Sequence, residues 1–154
     1  MATISRKLII NNASENAFKK FLNEFSKWWP REYTWSQDVL MDIWIDGRQD
    51  GLCTEMGPYG FRCDWGRVTE LIENKKICLK WQISPKREPI PNSEKASDIQ
   101  FEFKKGGRSS TTILEFEHWN FENHGEEGKD YLKMMDSEQG WDYILNCFKV
   151  YCEK

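Results

Sequence analysis

The chain reads as an α+β domain. A curved antiparallel β-sheet of about six to seven strands wraps around a long C-terminal α-helix, and two short helices follow the first strand. Three observations predict this. Several segments alternate apolar and polar residues strictly, as in Ile77, Leu79, Trp81 and Ile83 against Cys78, Lys80 and Gln82. Such a pattern places one face of a strand in the core and the other in water. The end of the chain carries Trp141, Ile144, Leu145 and Phe148 at helical spacing. Finally, the elements run strand, short helices, strands, helix, so one helical stripe must bury itself on one apolar sheet face.

Each element has its own signal. Thr3 to Asn11 contains KLIIN and reads as a strand, and Ser14 follows as an N-cap. ENAFKKFLNEFSKWW then sets Ala17, Phe18, Phe21, Leu22, Phe25, Trp28 and Trp29 at i, i+3, i+4, i+7 spacing, one helix or two short ones. Pro30 ends it. Val39 to Ile45 is a strand, and the turn DGRQDG leads into LCTEM. After GPYG comes FRCDWGRVTELI, where Gly66 inside a strand marks a bend, a bulge or a close backbone approach. Beyond ICLKWQI, the segment SPKREPIPNSEKAS is a polar, proline-bearing and mobile loop. IQFEFK then puts Ile99, Phe101 and Phe103 on one face, and TTILEFEHW does the same for Leu114, Phe116 and His118. Asp130 to Cys152 is the closing helix, with Lys149 and Lys154 where its dipole favours cations.

Length and composition bound the function. At 154 residues the chain is expected to form a single domain spanning 1–154 with one core. A net charge of −3 argues against nucleic acid or an acidic membrane as partner. The N-terminal residues lack the apolar run of a signal peptide or membrane span. The cysteines Cys53, Cys63, Cys78, Cys147 and Cys152 are odd in number and lack C-x-x-C spacing, which points to reduced thiols in a cytoplasmic protein. Eight Trp and nine Phe supply enough ring area to build either a filled core or the wall of a cavity.

A sheet bent around one helix is a helix-grip arrangement, and the gap it leaves is the usual form of a small-molecule site. The series F…WWP, IDGRQDGLCTE, DWGRV, LKWQI, LEFEHWNF and GWDYIL resembles the SRPBCC (START/Bet v 1-like) superfamily. More narrowly it resembles homologues of the activator of the heat-shock-protein-90 ATPase. The resemblance covers nearly the whole chain. It departs at Gln49-Asp50-Gly51, at Glu73-Asn74 and at Cys53, where relatives often carry paired glycines, paired prolines and an aromatic. It implies a deep cavity between sheet and C-terminal helix. It does not imply one activity, since such folds include ligand carriers, cyclases, resistance proteins and co-chaperone domains.

The expected cavity residues are Trp28, Trp29, Leu79, Trp81, Ile83, Phe101, Phe103, Leu114, Phe116, His118, Trp141, Leu145 and Phe148. One of Trp28 and Trp29 is expected to plug the cavity and the other to pack outward beside Pro30. The expected ligand is small and hydrophobic or aromatic. No cofactor and no metal are expected, because His118 and His124 are the only histidines and no cysteine stands near them in sequence. His118 has two readings, a histidine capped by backbone or a loop carboxylate, or a ligand or acid/base group at the cavity mouth. An enzyme would need such a group, with Asp64 or Glu55 as alternatives; no catalytic constellation is visible. Trp44 is either an exposed wall residue or a dimer contact, so a monomer and a homodimer both stand. A chaperone partner follows from the resemblance alone.

Overall fold

In the computed structural model, which describes residues 2–154, seven strands form one antiparallel sheet. They are β1 (Ile4–Ile10), β2 (Asp42–Ile45), β3 (Leu52–Met56), β4 (Arg62–Ile72), β5 (Lys76–Trp81), β6 (Ser97–Lys105) and β7 (Thr112–Trp119). The order across the sheet is β1-β7-β6-β5-β4-β3-β2, which leaves β1 and β2 as its edges. The alternation read from sequence sets the faces. Phe101 stands opposite Ile77 on one side and Phe116 on the other, and Leu79 stands opposite Val68 and Ile99. All of these are buried. Such cross-strand apolar pairs are the units that hold a sheet in register.

The helices are α1 (Ser14–Asn23), α2 (Phe25–Trp28), α3 (Gly128–Met135) and α4 (Trp141–Cys152). Buried Trp141, Ile144, Leu145, Phe148 and Cys152 form the stripe of α4. Phe148 packs on Phe21, Trp28 and Phe103, with ring centroids 5.5, 5.0 and 6.2 Å away. It thereby joins α4 to both early helices and to the sheet. Full burial of such a ring contributes about 2 kcal/mol relative to exposure.

Three details differ from the sequence pattern. Ala13, not Ser14, occupies the N-cap, and Ser14 opens the helix without a capping bond. The closing helix is two helices, because the chain turns between Met135 and Trp141. A Cβ on Gly140 would lie 2.3 Å from the Met135 carbonyl oxygen, so only glycine fits this turn. Arg6 secures it: its Nε donates to Asp142 (2.6 Å) and its guanidinium to the Asp136 carbonyl (3.0 Å). Trp28 and Trp29 are both buried, 4% and 6% exposed, where one was expected to face outward. Trp28 is the last residue of α2, whereas Trp29 has left the helix with an extended backbone (ψ 132°). The two rings therefore enter the core by different routes.

Gly66 shows how the sheet bends. Cys53 pairs with Gly66 but Thr54 pairs with Asp64, so Trp65 is an extra residue in β4. The bulge brings Trp65 and Gly66 to buried positions in succession. Any Cβ on Gly66 would meet the Lys80 carbonyl oxygen at 2.6 Å. The bulge thus bends the sheet at β3 and β4 and turns an indole inward.

Candidate functional site

The bend opens a cavity of about 330 Å³ at one end of the grip. Trp29 from the end of α2, Ile43 of β2, Glu55 of β3 and Trp65 of β4 form its deep walls. The segment Glu32 to Gln37 and the residues Ile83 and Arg87 close its mouth. A smaller void of about 130 Å³ lies on the far side of Trp29, Tyr33 and Arg87, against Trp81, Met135, Gly140 and Ile144. Trp29 and Trp65 run nearly parallel, 20° apart with centroids 5.8 Å from each other. Their flat faces give this end of the domain an aromatic wall.

The mouth is held by hydrogen bonds. Glu55 is 1% exposed. It accepts the Trp35 N–H (3.1 Å), the Ser36 N–H (2.7 Å) and the Ser36 hydroxyl (2.7 Å). A buried carboxylate with three donors is compensated, and it fixes the loop that carries Trp35. Trp35 in turn donates its indole N–H to the Arg87 carbonyl oxygen at 2.7 Å. The Tyr33 hydroxyl donates to the Gln139 carbonyl at 2.6 Å, and burial raises its pKa, with the Glu32 charge adding to the effect. Glu32 accepts from the Tyr143 hydroxyl, which lowers its pKa. The proline-bearing loop is bonded in place as well: Ser84 donates to the Glu88 carbonyl (2.8 Å) and Ile90 to that of Gln82 (2.9 Å). Beneath it, Trp81 donates to the Tyr131 hydroxyl (2.6 Å), which donates to the Ile83 carbonyl (2.8 Å).

The expected lining residues divide. Trp29 and Ile83 line the larger cavity and Trp81 borders the smaller one. Trp28, Leu79, Phe101, Phe103, Leu114, Phe116, His118, Trp141, Leu145 and Phe148 are buried among packed side chains instead. Their rings interlock closely, with Phe116 and Trp141 only 4.3 Å apart, and fill the middle of the grip. The void therefore lies to one side of the aromatic core. The residues missed at its mouth, Tyr33, Thr34, Gln37 and Arg87, have no periodicity. The available signal was Tyr33 and Trp35 in a polar segment after Pro30, aromatics that no helix or strand absorbs.

His118 is fully buried and belongs to a directed chain. The Trp141 indole N–H donates to its Nδ1 at 2.9 Å. An indole can only donate, so Nδ1 carries no proton and Nε2–H donates to the Ser97 hydroxyl at 2.7 Å. That hydroxyl then donates to His124 Nε2, also at 2.7 Å. The remaining His124 proton sits on Nδ1, which is buried with no hydrogen-bond partner. Burial holds the His118 pKa well below its ordinary value, and the neighbouring His124 adds to this. Burial pushes His124 down to about 4. His118 is thus capped by an indole and a serine, and it does not face either void. Asp64 lies outside, accepting from the Thr54 hydroxyl at 2.8 Å. Trp44 is half-buried in the edge strand β2. Among the described residues, no group of three His, Cys, Asp or Glu side chains could hold a metal ion. No helix among them is long and apolar enough to cross a membrane.

A seven-stranded antiparallel sheet gripping C-terminal helices, with a void at one end, defines a helix-grip protein of the SRPBCC class. Residues 18–153 match the family described as Activator of Hsp90 ATPase homolog 1-like protein, and the chain belongs to that family. Its fold is similar to that of the anthrahydroquino-gamma-pyrone synthase Txn09, with a TM-score of 0.67 and 21% identity over 97% of this chain and 96% of that one. It is similar to the Aha1 dimer from Colwellia psychrerythraea, with a TM-score of 0.67 and 21% identity over 99% and 97% of the two chains. The self-sacrificing resistance protein CalC from Micromonospora echinospora gives a TM-score of 0.64 and 19% identity over 97% and 93%. At such identities the likeness is one of fold. No curated protein matches the sequence.

Proposed function

We propose that this chain is a single-domain, cytoplasmic binding protein for a small hydrophobic or aromatic ligand. The cavity of about 330 Å³ walled by Trp29, Trp35, Trp65, Ile43 and Ile83 carries the reading. A concave, largely apolar space with a few placed polar groups is the common form of a ligand site. Binding is favoured over turnover. The buried carboxylate at the site is occupied by three donors from its own loop, and the buried histidine lies in the core. Native mass spectrometry, with chemical-shift titration against a panel of lipids and aromatic metabolites, tests this. Saturable shifts at residues 29–37, 43, 55, 65 and 83–87 are expected. An empty spectrum and unmoved amides across the panel would end the proposal.

Family membership carries a second reading, a module that binds a chaperone and alters its ATPase rate. A pull-down with the cognate chaperone and an ATPase assay separate the two. Capture together with a changed rate would favour the module, and neither would discard it.

A further inference from the structure

We infer that Tyr33 is the partition that sets the length of the ligand: swung aside, it joins the larger and smaller voids into one channel for an aromatic ring carrying an alkyl tail. This rests on the reading of the larger cavity as a ligand site. Three residues border both voids, Trp29, Tyr33 and Arg87. They differ in what holds them. Trp29 is buried and locked by its neighbours. Its indole stacks on Phe25 at 5.0 Å and on Trp65 at 5.8 Å, with Trp81 and Trp141 at 6.2 and 6.4 Å. Arg87 is exposed, and its guanidinium carbon lies 6.0 Å from the Tyr33 ring centroid. Tyr33 is half-buried and ends the single 3-10 turn Arg31–Tyr33. Its ring leans on Tyr143 at 5.2 Å, and its hydroxyl donates to the Gln139 carbonyl in the turn between α3 and α4. That bond is exposed, so water replaces it when the ring leaves. An exposed hydrogen bond and an exposed cation–π contact are each worth about a factor of three to ten. The partition is shut, but lightly.

The two sides of the partition differ in chemistry. The larger void has the near-parallel indoles of Trp29 and Trp65, which suit a flat ring. The smaller one has Met134, Met135 and Ile144 beside Trp81. Thioethers adapt their shape to a flexible chain. At about 130 Å³ against about 330 Å³, this void suits a tail better than a second guest. Glu32, Gln37 and Arg87 bring both acceptors and donors to the mouth, so they impose no single charge on the guest. Length is the property the wall selects. With Tyr33 in place a tail must run out through the mouth. With Tyr33 displaced it crosses into the smaller void.

The test compares 4-methylphenol with 4-heptylphenol by isothermal calorimetry, in the parent, Tyr33→Phe and Tyr33→Ala. The ratio of the two dissociation constants measures what the tail contributes. Tyr33→Phe keeps the ring and removes its tether, and should raise the ratio about threefold. Tyr33→Ala removes the partition and should raise it about tenfold. Near-UV circular dichroism checks that both variants are folded. In chemical-shift titrations 4-heptylphenol, unlike 4-methylphenol, should move the amides of residues 134–140 and 144. A ratio that is the same in all three proteins would overturn the assignment. So would heptylphenol shifts confined to the residues around the larger void. If 4-methylphenol binds and the tail adds no more in the variants than in the parent, the cavity reading stands and the partition falls. If neither phenol binds any of the three proteins, both fall.

Discussion

Acidification provides a direct measure of the buried histidine. In the folded chain His118 Nδ1 accepts the Trp141 indole N–H, so a second ring proton would set donor against donor at 2.9 Å. Burial adds a desolvation penalty on the charged form, and His118 stays neutral well below its ordinary pKa. The unfolded chain has neither restraint and takes up that proton near pH 6.5. The unfolded state therefore binds more protons as pH falls, and stability drops with it. The contribution is fully present above about pH 6.5 and is lost on the way down to the depressed folded pKa. Each pH unit in that window is worth about 1.4 kcal/mol, so pH 7 to pH 5 removes about 2 kcal/mol through His118 alone. Urea unfolding followed by tryptophan fluorescence at the two pH values gives the wild-type loss. His118→Gln can accept from Trp141 and donate to Ser97 without titrating. The variant should lose about 2 kcal/mol less than the parent over the same interval. His124, also depressed, acts in the same direction, so the total loss of the parent exceeds the share of His118. Parallel stability curves for parent and variant would refute the reasoning.

Three further outcomes are expected. Trp28→Ala and Trp29→Ala should each cost about 3–5 kcal/mol in denaturant unfolding, since both rings are buried in the aromatic core. Gly66→Ala should cost about 1–3 kcal/mol, because its methyl would press on the Lys80 carbonyl at 2.6 Å and force the bulge to move. Glu55→Ala leaves two N–H groups and a hydroxyl without their acceptor. It should cost about 3 kcal/mol and raise hydrogen exchange at the amides of Trp35 and Ser36, read by mass spectrometry or NMR.

The parts of the fold that were legible in sequence are those in which burial repeats with a fixed period. Ile77, Leu79 and Trp81 announce a strand face and Trp141, Ile144, Leu145 and Phe148 a helix face, because water is excluded from one side only. The break before Trp141 was not legible, since the stripe continues across it and the close carbonyl contact of Gly140 depends on tertiary geometry. Gly66 signalled a bulge but not the direction in which Trp65 would point. The cavity was least legible. Its mouth is made by Tyr33, Thr34, Trp35 and Arg87, which come from irregular segments and meet only after folding. Aromatic content does not distinguish a packed ring from a lining ring. In this chain most of the rings fill the core, and the bulge at Trp65 sets the wall of the space that remains.

The aromatic core has an optical consequence. Trp29 lies beside Trp28, Trp65, Trp81 and Trp141, with centroid separations of 5.5, 5.8, 6.2 and 6.4 Å. Excitation absorbed by any of these indoles passes readily among them. Trp29 and Trp65 also line the cavity, so the chromophores that gather this energy are the ones a guest would touch. A single quenching molecule seated there dims the emission of the whole cluster, and the native fluorescence becomes a label-free gauge of occupancy.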